Sequence, residues 1–268
     1  MSFIAAMDNS GGSAGGVLDL YGQEWTEEDK MEKINNFRLR MLSCMNNNSH
    51  QIDTAIMYKD SVERGMVTEL EKKNIQPFVK IDNGTESNGT LKHFDVAEMS
   101  EWARSEGCTG TKMRSIVNSV AMIDSIVAQQ FSYAKIIQAY NLTPIVEPEV
   151  PIDNLDKDII EKELVKSLQT FLDMSLGRVI LKLTIPTQPG LYDSLNDHGN
   201  VERIVALSGG YSTEEACERL LKNKMGASFS RGLSEGLKYN MSDEEFNSAI
   251  QTNINKINFA VGSLEIDN

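Results

Sequence analysis

The sequence predicts a single (β/α)8 TIM barrel, an α/β fold in which eight parallel strands close into a ring covered by helices. Three observations support this: short apolar runs alternate with helical segments, the alternation continues to the end of the chain, and eight such runs occur. Strand–helix alternation indicates a parallel sheet, and eight units favour a closed barrel over an open sheet. The predicted strands are 3–8, 54–58, 77–82, 109–114, 143–149, 178–185, 203–208 and 226–230.

The segments between these runs have helical periodicity or composition. They cover 61–73, 95–105, 124–140, 156–174, 213–223 and 242–258. The last two begin with Thr-Glu-Glu and Ser-Asp-Glu-Glu, which supply N-caps and first-turn acids. The Gly-rich stretch 11–16 lacks the Lys-Ser/Thr of a nucleotide-binding loop, so we interpret it as a flexible strand–helix turn. No linker or low-complexity tract divides the chain, and we expect one domain over 1–268.

Composition excludes several kinds of partner. The net charge of -13 disfavours nucleic acid and anionic membranes, because both repel an acidic protein. No run of 18 apolar residues and no signal peptide is present, so we expect no membrane association and a cytoplasmic protein. The three cysteines have no C-x-x-C spacing and are expected to be reduced thiols. The oligomeric state stays open, from monomer to homo-oligomer.

Polar residues interrupt the apolar pattern where the predicted strands end, and in a barrel those ends carry the active site. The most unusual is Lys182, within Val-Ile-Leu-Lys-Leu-Thr-Ile, because apolar strand-forming residues flank it on both sides. Any one such charge has a simple alternative explanation, since polar residues at strand ends are often only solvated. Together they predict one polar cavity; the set is Asp8, Lys80, Lys112, Arg114, Glu147, Glu149, Lys182, Ser208, Gly209, Gly210, Ser230 and Arg231.

Seven blocks that contain these residues resemble class I fructose-bisphosphate aldolase, most closely its short bacterial-type branch. They are FIAAMDNSGGS (3–13), PFVKID (77–82), GTKMRS (110–115), PIVEPEV (144–150), LKLTIPT (181–187), LSGGYS (207–212) and ASFSR (227–231). The resemblance spans almost the whole chain in the family's order. It implies a metal-independent lyase of glycolysis and gluconeogenesis that cleaves fructose 1,6-bisphosphate to dihydroxyacetone phosphate and glyceraldehyde 3-phosphate.

The resemblance also implies the catalytic roles. Lys182 resembles the lysine that forms a Schiff base with the substrate ketone, and Glu147 resembles its general acid/base. Asp8 is similar to the carboxylate that takes the C4 hydroxyl proton. Lys112 and Lys80 resemble lysines that hold the substrate and favour a neutral amine nearby. An ordinary lysine is neutral only about once in two thousand at pH 7, so the nucleophile needs such help.

Further residues resemble the family's phosphosugar-binding groups. A Ser-Gly-Gly turn before a helix presents N–H groups to an anion, and an arginine on the next strand can clamp it. The ketone-half phosphate is assigned to Ser208, Gly209, Gly210 and Arg231, with Ser230 beside them. The other end of the substrate is assigned to Ser10 and Arg114, with Glu149 adjoining Glu147 in the wall.

The sequence departs from the family's pattern in three places. Asn83 stands where relatives usually carry a second lysine, which removes one cation near the mouth. Gly15-Gly16 replaces a region that often carries a basic residue. The sequence ends at Asn268 without the long tail ending in tyrosine, so another group or water is expected to protonate the enamine.

Two alternatives stay open: an aldolase for another ketose bisphosphate, such as tagatose 1,6-bisphosphate, and a non-catalytic phosphosugar-binding barrel. Retention of Asp8, Glu147 and Lys182 together disfavours the second, because a binding protein needs no electron sink. His50, His93 and His198 lack the spacing of a zinc site. We therefore expect neither a metal nor another cofactor.

Overall fold

The computed structural model describes residues 3–45 and 52–262. Eight parallel strands pair in chain order, and the eighth closes on the first. They are Phe3–Met7 (β1), Ile52–Met57 (β2), Gln76–Lys80 (β3), Gly110–Ile116 (β4), Thr143–Glu149 (β5), Val179–Thr184 (β6), Val201–Leu207 (β7) and Gly226–Ala227 (β8). This confirms the predicted single (β/α)8 barrel.

Helices lie between the strands and cover the barrel. They are Gly11–Tyr21 (α1), Lys30–Cys44 (α2), Lys59–Glu63 (α3), Met66–Glu71 (α4), Val96–Ser105 (α5), Ile123–Ala139 (α6), Lys157–Met174 (α7), Asp193–Asn196 (α8), Thr213–Leu220 (α9), Arg231–Ser234 (α10) and Asp243–Ala260 (α11). Among the described residues, no helix combines the length and the apolar character needed to cross a membrane.

Two predicted elements differ from the structure, and one helix was not predicted. The helix expected over 61–73 is two short helices, because Gly65 between them adopts a left-handed φ of 82°. The eighth strand ends at Ala227 instead of continuing to residue 230, and Ser230 already has helical backbone angles at the start of α10. The helix that was not predicted is α2.

The interpretation of 11–16 as a flexible turn was wrong, because Gly11 begins helix α1. Each glycine costs a helix about 1 kcal/mol relative to alanine, so tertiary packing must stabilise this one. Leu18 and Tyr21 are buried on its inner face. Gly15 is buried too, and a Cβ there would lie 2.5 Å from the ring of Trp25. The glycine therefore permits close contact between the helix and the indole.

Side chains inside the barrel form layers, and the functional side chains lie in the layer nearest the carboxyl ends of the strands. One apolar layer consists of Ile4, Ile56, Phe78, Ile145, Ile180 and Val205. Because side chains on one face of a strand recur every two residues, the next inward residues toward the carboxyl ends form a second layer. On β3, β5 and β6 those residues are Lys80, Glu147 and Lys182. A dry layer thus forms the floor beneath a charged one.

Candidate active site

A cavity of about 320 Å³, which we call the mouth cavity, opens at the carboxyl ends of the strands. Eleven of the thirteen predicted site residues line it: Asp8, Ser10, Lys80, Lys112, Arg114, Glu147, Glu149, Lys182, Ser208, Gly209 and Ser230. The other two, Gly210 and Arg231, line an adjoining cavity of about 600 Å³. Asn9, Ser13, Ser208 and Ser230 line both, so the two spaces are neighbours.

Four charged side chains form a continuous ion-pair chain through the mouth cavity: Asp8, Lys112, Glu147 and Lys182. Lys112 Nζ lies 2.5 Å from Asp8 Oδ2 and 3.2 Å from Glu147 Oε2. Lys182 Nζ lies 3.3 Å from Glu147 Oε1. All but Asp8 are almost fully buried, and the side chain of Asp8 is 12% exposed. Glu147 therefore lies between the amino groups of Lys112 and Lys182. Its Oε2 atom forms an ion pair with Lys112 but no hydrogen bond to any described residue.

Opposite charges determine the protonation states of Asp8 and Lys112. Burial alone would raise the pKa of Asp8, but attraction to Lys112 and Lys182 outweighs it and holds the pKa well below its usual range. Burial alone would lower the pKa of Lys112, but Asp8 and Glu147 hold that pKa above its usual range. Asp8 is therefore a carboxylate and Lys112 an ammonium at neutral pH.

A second set of pairs lies nearer the rim. Lys80 Nζ donates to Asp82 Oδ1 at 2.6 Å, and Asp82 Oδ2 accepts from the backbone N–H of Arg114. Asp82 also accepts from the N–H of Gly84, which has a left-handed φ of 87°. Arg114 Nε donates to Glu149 Oε2 at 2.5 Å. One buried carboxylate thus positions the Lys80 ammonium, the end of β4 and the turn that contains Asn83.

The opposite side of the mouth is built from glycine and serine. Gly209 and Gly210 follow Ser208 with φ values of 60° and 119°, a backbone that favours glycine. A Cβ on Gly209 would lie 2.8 Å from Ile152 Cγ2, so the turn packs against the loop after β5. Helix α9 follows, and the Ser212 side chain caps it by accepting from Glu215 N. The structure thus places the predicted Ser-Gly-Gly turn at a strand end and before a helix.

Two serines of this wall, Ser228 and Ser13, were not predicted from the sequence. Ser228 lines the mouth cavity, is 2% exposed, and its hydroxyl has no hydrogen-bond partner among the described residues. It could have been identified, because it lies two residues before Ser230 on the same face of the predicted strand. Ser13 lines both cavities from the first turn of α1. It was missed because that segment was interpreted as a flexible turn.

A buried arginine lies behind Asp8 and was also missed. Arg38 on α2 is 1% exposed, and its guanidinium donates to the carbonyl of Asn9 and to Ser61 Oγ. Burial lowers the pKa of Arg38 to about 10, an effect that the Asp8 charge partly offsets. Asn9 is held from the other side as well, since its Oδ1 accepts from Ser230 Oγ at 3.2 Å. The ends of β1 and β8 are connected through this residue.

The sequence of this chain matches a known protein family. The sequence model of the family described as "Glycolytic: Fructose-bisphosphate aldolase class-I" matches residues 2–172, more than half of the chain. The chain belongs to the class I fructose-bisphosphate aldolase family. The match includes the positions of Asp8, Lys80, Lys112 and Glu147 and ends before β6, so Lys182 lies outside it.

Solved aldolase structures share the fold. Fructose-bisphosphate aldolase from Plasmodium falciparum, solved with TRAP and a small-molecule inhibitor, superposes with a TM-score of 0.73 at 19% identity, over 99% of this chain and 91% of that one. An archaeal fructose 1,6-bisphosphate aldolase gives 0.59 at 13% identity, over 94% and 93%. An archaeal aldolase whose catalytic lysine is covalently bound to the carbinolamine intermediate gives 0.57 at 12% identity, over 94% and 93%. At these identities the likeness establishes the barrel fold alone.

The histidines and acidic residues of this aldolase-family chain form no metal-binding group in 3–45 and 52–262, where no three His, Cys, Asp or Glu side chains cluster suitably. His93 is exposed, and His198 lies 3.0 Å from Asp173. His50 lies outside the described residues. The absence of a metal requirement stays a prediction, to be tested with a chelator.

Proposed function

We propose that this protein is a metal-independent, class I fructose-bisphosphate aldolase that reversibly cleaves fructose 1,6-bisphosphate through a Schiff base on Lys182. The observation that carries the proposal is the position of Lys182. Its amine lies in the cavity wall directly above the apolar layer and 3.3 Å from Glu147 Oε1. A nucleophilic amine needs an acid/base group close to hydrogen-bond distance, and Glu147 is near enough to serve as that group.

The first stage is imine formation. The neutral amine of Lys182 attacks the C2 carbonyl carbon and gives a carbinolamine. Glu147, as the acid, protonates the hydroxyl that leaves as water, and the nitrogen lone pair forms the iminium bond. Glu147 contacts both Lys182 and Lys112, so it can exchange protons at the nitrogen while Lys112 stabilises its carboxylate.

Carbon–carbon cleavage follows. Asp8 accepts the proton of the C4 hydroxyl, the C3–C4 bond breaks, and its electron pair moves to the iminium to give an enamine and the free aldehyde. The depressed pKa of Asp8 suits this role, because the acceptor must be a carboxylate before the step begins. Protonation at C3 and hydrolysis then release dihydroxyacetone phosphate and regenerate Lys182.

Substrate binding divides between the two sides of the mouth. We assign the ketone-half phosphate to the Ser208–Gly210 turn, the Ser228 and Ser230 hydroxyls and Arg231, and the other half to Ser10, Lys80 and Arg114. Lys80 and Arg114 are each paired with a carboxylate, so among the described residues Arg231 supplies the unpaired positive charge for the phosphate in a protein of net charge -13. This supports a small anionic substrate. From the family membership we assign the protein to cytoplasmic sugar phosphate metabolism, in glycolysis or gluconeogenesis.

Borohydride trapping tests the proposal. The protein is incubated with dihydroxyacetone phosphate, reduced with borohydride, digested and mapped by mass spectrometry. A reduced adduct on Lys182 is expected, with none in Lys182→Ala and undiminished turnover in EDTA. Binding of the phosphosugar without any adduct would contradict the proposed chemistry, and loss of activity in EDTA would contradict the metal-independent class.

The substrate itself needs a separate measurement. The kcat/KM for fructose 1,6-bisphosphate is compared with that for tagatose 1,6-bisphosphate, its C4 epimer. We expect the fructose sugar to be preferred, and a higher value for tagatose would change the assigned substrate while leaving the Schiff-base chemistry in place.

A further inference from the structure

The two strands that carry Glu147 and Lys182 lose their backbone pairing just before these residues. In the register between β5 and β6, Ile145 pairs with Ile180 and Val146 with Leu181. Both strands continue beyond this point, and each pairs there with its other neighbour, β4 or β7. The distance between Glu147 and Lys182 is therefore set by interactions other than the ladder that would ordinarily join adjacent strands.

A side chain replaces the missing backbone pairing two residues beyond Lys182. Thr184, two residues after Lys182, is 1% exposed. Its hydroxyl donates to the carbonyl of Val150 at 2.8 Å and accepts from the N–H of Val150 at 3.0 Å. Val150 directly follows β5, so one threonine hydroxyl connects the ends of both strands.

A buried ion pair on α7 binds the segment that follows β6. Lys157 Nζ lies 2.5 Å from Glu161 Oε1 on the same helix, and both side chains are almost fully buried. The ammonium also donates to the carbonyl of Ile185 at 2.9 Å and to Thr187 Oγ1 at 3.2 Å. Glu161 Oε2 accepts from the N–H of Thr187 at 2.9 Å. The pair thus fixes the first three residues after β6.

Such a pair is unusual enough to need an explanation. Burying two charges costs several kcal/mol per ion before their attraction is counted, and similar apolar residues often give equal stability. Stability alone is therefore a weak reason for it. What an apolar pair cannot do is bind Ile185 O and Thr187 N, the backbone groups that follow the Lys182 strand.

We infer that Lys157, Glu161 and Thr184 are positioning residues that set the separation of Lys182 from Glu147. We call these three residues the β6 tether. None of them lines the mouth cavity. The inference rests on the proposed Schiff-base function, and its effect should appear in the steps that need proton exchange between Glu147 and the Lys182 nitrogen.

The experiment removes the tether while preserving the packing. In K157M/E161M the buried ion pair becomes an apolar pair of similar volume, which by itself should change stability little. Ile185 O and Thr187 N lose their partners, so a moderate loss of stability in urea unfolding is expected, with the fold retained. The matched control is D158M/K162M, which replaces an exposed i,i+4 pair on the same helix with the same residue type. T184V is a second, isosteric removal of a tether hydroxyl.

We expect K157M/E161M to lower kcat about tenfold with KM changed less than twofold, because an ångström-scale misplacement of reacting groups is costly. The pH profile of borohydride trapping at Lys182 should shift, since the proton exchange partner has moved. T184V should change both readouts in the same direction. D158M/K162M should match the parent protein in all of them.

The outcomes separate the two proposals. An unmodified parent protein that forms no adduct on Lys182 overturns the proposed function, and this inference with it. A parent that forms the adduct, with K157M/E161M trapping at the parental rate and pH profile, overturns the tether alone. If K157M/E161M does not fold, T184V decides, and parental kcat in folded T184V overturns the inference.

Discussion

The two sides of the barrel mouth satisfy their polar groups in different ways. On the side formed by β3 to β6, four basic side chains each have a carboxylate within 3.3 Å: Lys80, Lys112, Arg114 and Lys182. On the side formed by β7 and β8, the Ser228 hydroxyl and the Arg231 guanidinium have no partner in the part of the chain that the structure describes.

The difference separates chemistry from binding. Paired charges fixed in advance can stabilise charge that develops during a reaction, because they need no reorganisation when it occurs. The buried Ser228 hydroxyl carries an energetic cost as an unpartnered donor, which a bound anion relieves, and the exposed Arg231 guanidinium is available to contact that anion. We therefore expect substitutions of Asp8, Lys112, Glu147 and Lys182 to lower kcat, and substitutions of Ser228 and Arg231 to raise KM.

Replacing Lys182 should have the largest effect. Lys182→Met removes the nucleophile and should lower turnover at least about a thousandfold. Glu147 keeps its contact with Lys112, so the fold should persist, which circular dichroism and thermal unfolding check. Substantial remaining turnover, with a borohydride adduct on Lys80 or Lys112, would assign the Schiff base to another lysine.

Replacing Lys112 should lower kcat about a hundredfold, because Asp8 and Glu147 both lose their shared ammonium. Lys112 contributes to the depressed pKa of Asp8, so its removal raises that pKa towards the ordinary value. The acid limb of the kcat profile should then move to higher pH in Lys112→Met. Lys92 is exposed, and Lys92→Met is the control. An unchanged acid limb in Lys112→Met would show that the protonation of Asp8 does not control kcat.

Replacing Arg231 should act on the other side of the mouth. Arg231→Ala removes a charge proposed to contact the ketone-half phosphate, and KM should rise roughly tenfold or more with kcat changed less. Exposed Lys222→Ala provides a comparison at a site away from both cavities. A fall in kcat at constant KM would contradict the assignment of this side to binding.

Replacing Ser228 should give the smallest effect. Ser228→Ala removes one buried hydroxyl, and KM should rise about fivefold, as expected for a single neutral hydrogen bond. The free protein should be as stable or slightly more stable, because the hydroxyl has no partner to lose. Clear destabilisation in urea unfolding would indicate that this hydroxyl is satisfied within the protein.

The fold could be predicted because strand–helix alternation and parallel pairing follow from local patterns. The position of Lys182 in the cavity wall could be predicted for a similar reason, because a charge within an apolar strand is conspicuous. Its catalytic role came from the family resemblance and stays a prediction. Ser228 was less visible, because a serine at a strand end does not disturb the hydrophobic pattern. Its significance depends on burial without a partner, which is a property of the folded protein.

Two other features depended on tertiary contacts. A glycine-rich segment lacks helix propensity, and only the packing of Leu18 and Trp25 explains why it forms α1. A lysine and a glutamate four residues apart ordinarily occupy an exposed helix face, as Asp158 and Lys162 do. Nothing in the spacing of Lys157 and Glu161 shows that this pair is buried against the loop after β6.

The contact between Gly15 and Trp25 has a practical consequence. Helix α1 begins at the mouth beside Ser10, and the indole packs against its backbone while donating to Asp19 at 2.8 Å. A shift of the helix when a phosphosugar binds would change the surroundings of that ring and hence its fluorescence. The sequence contains only one other tryptophan, Trp102 on α5, which can be changed to phenylalanine. Trp25 then becomes an intrinsic optical reporter of ligand occupancy.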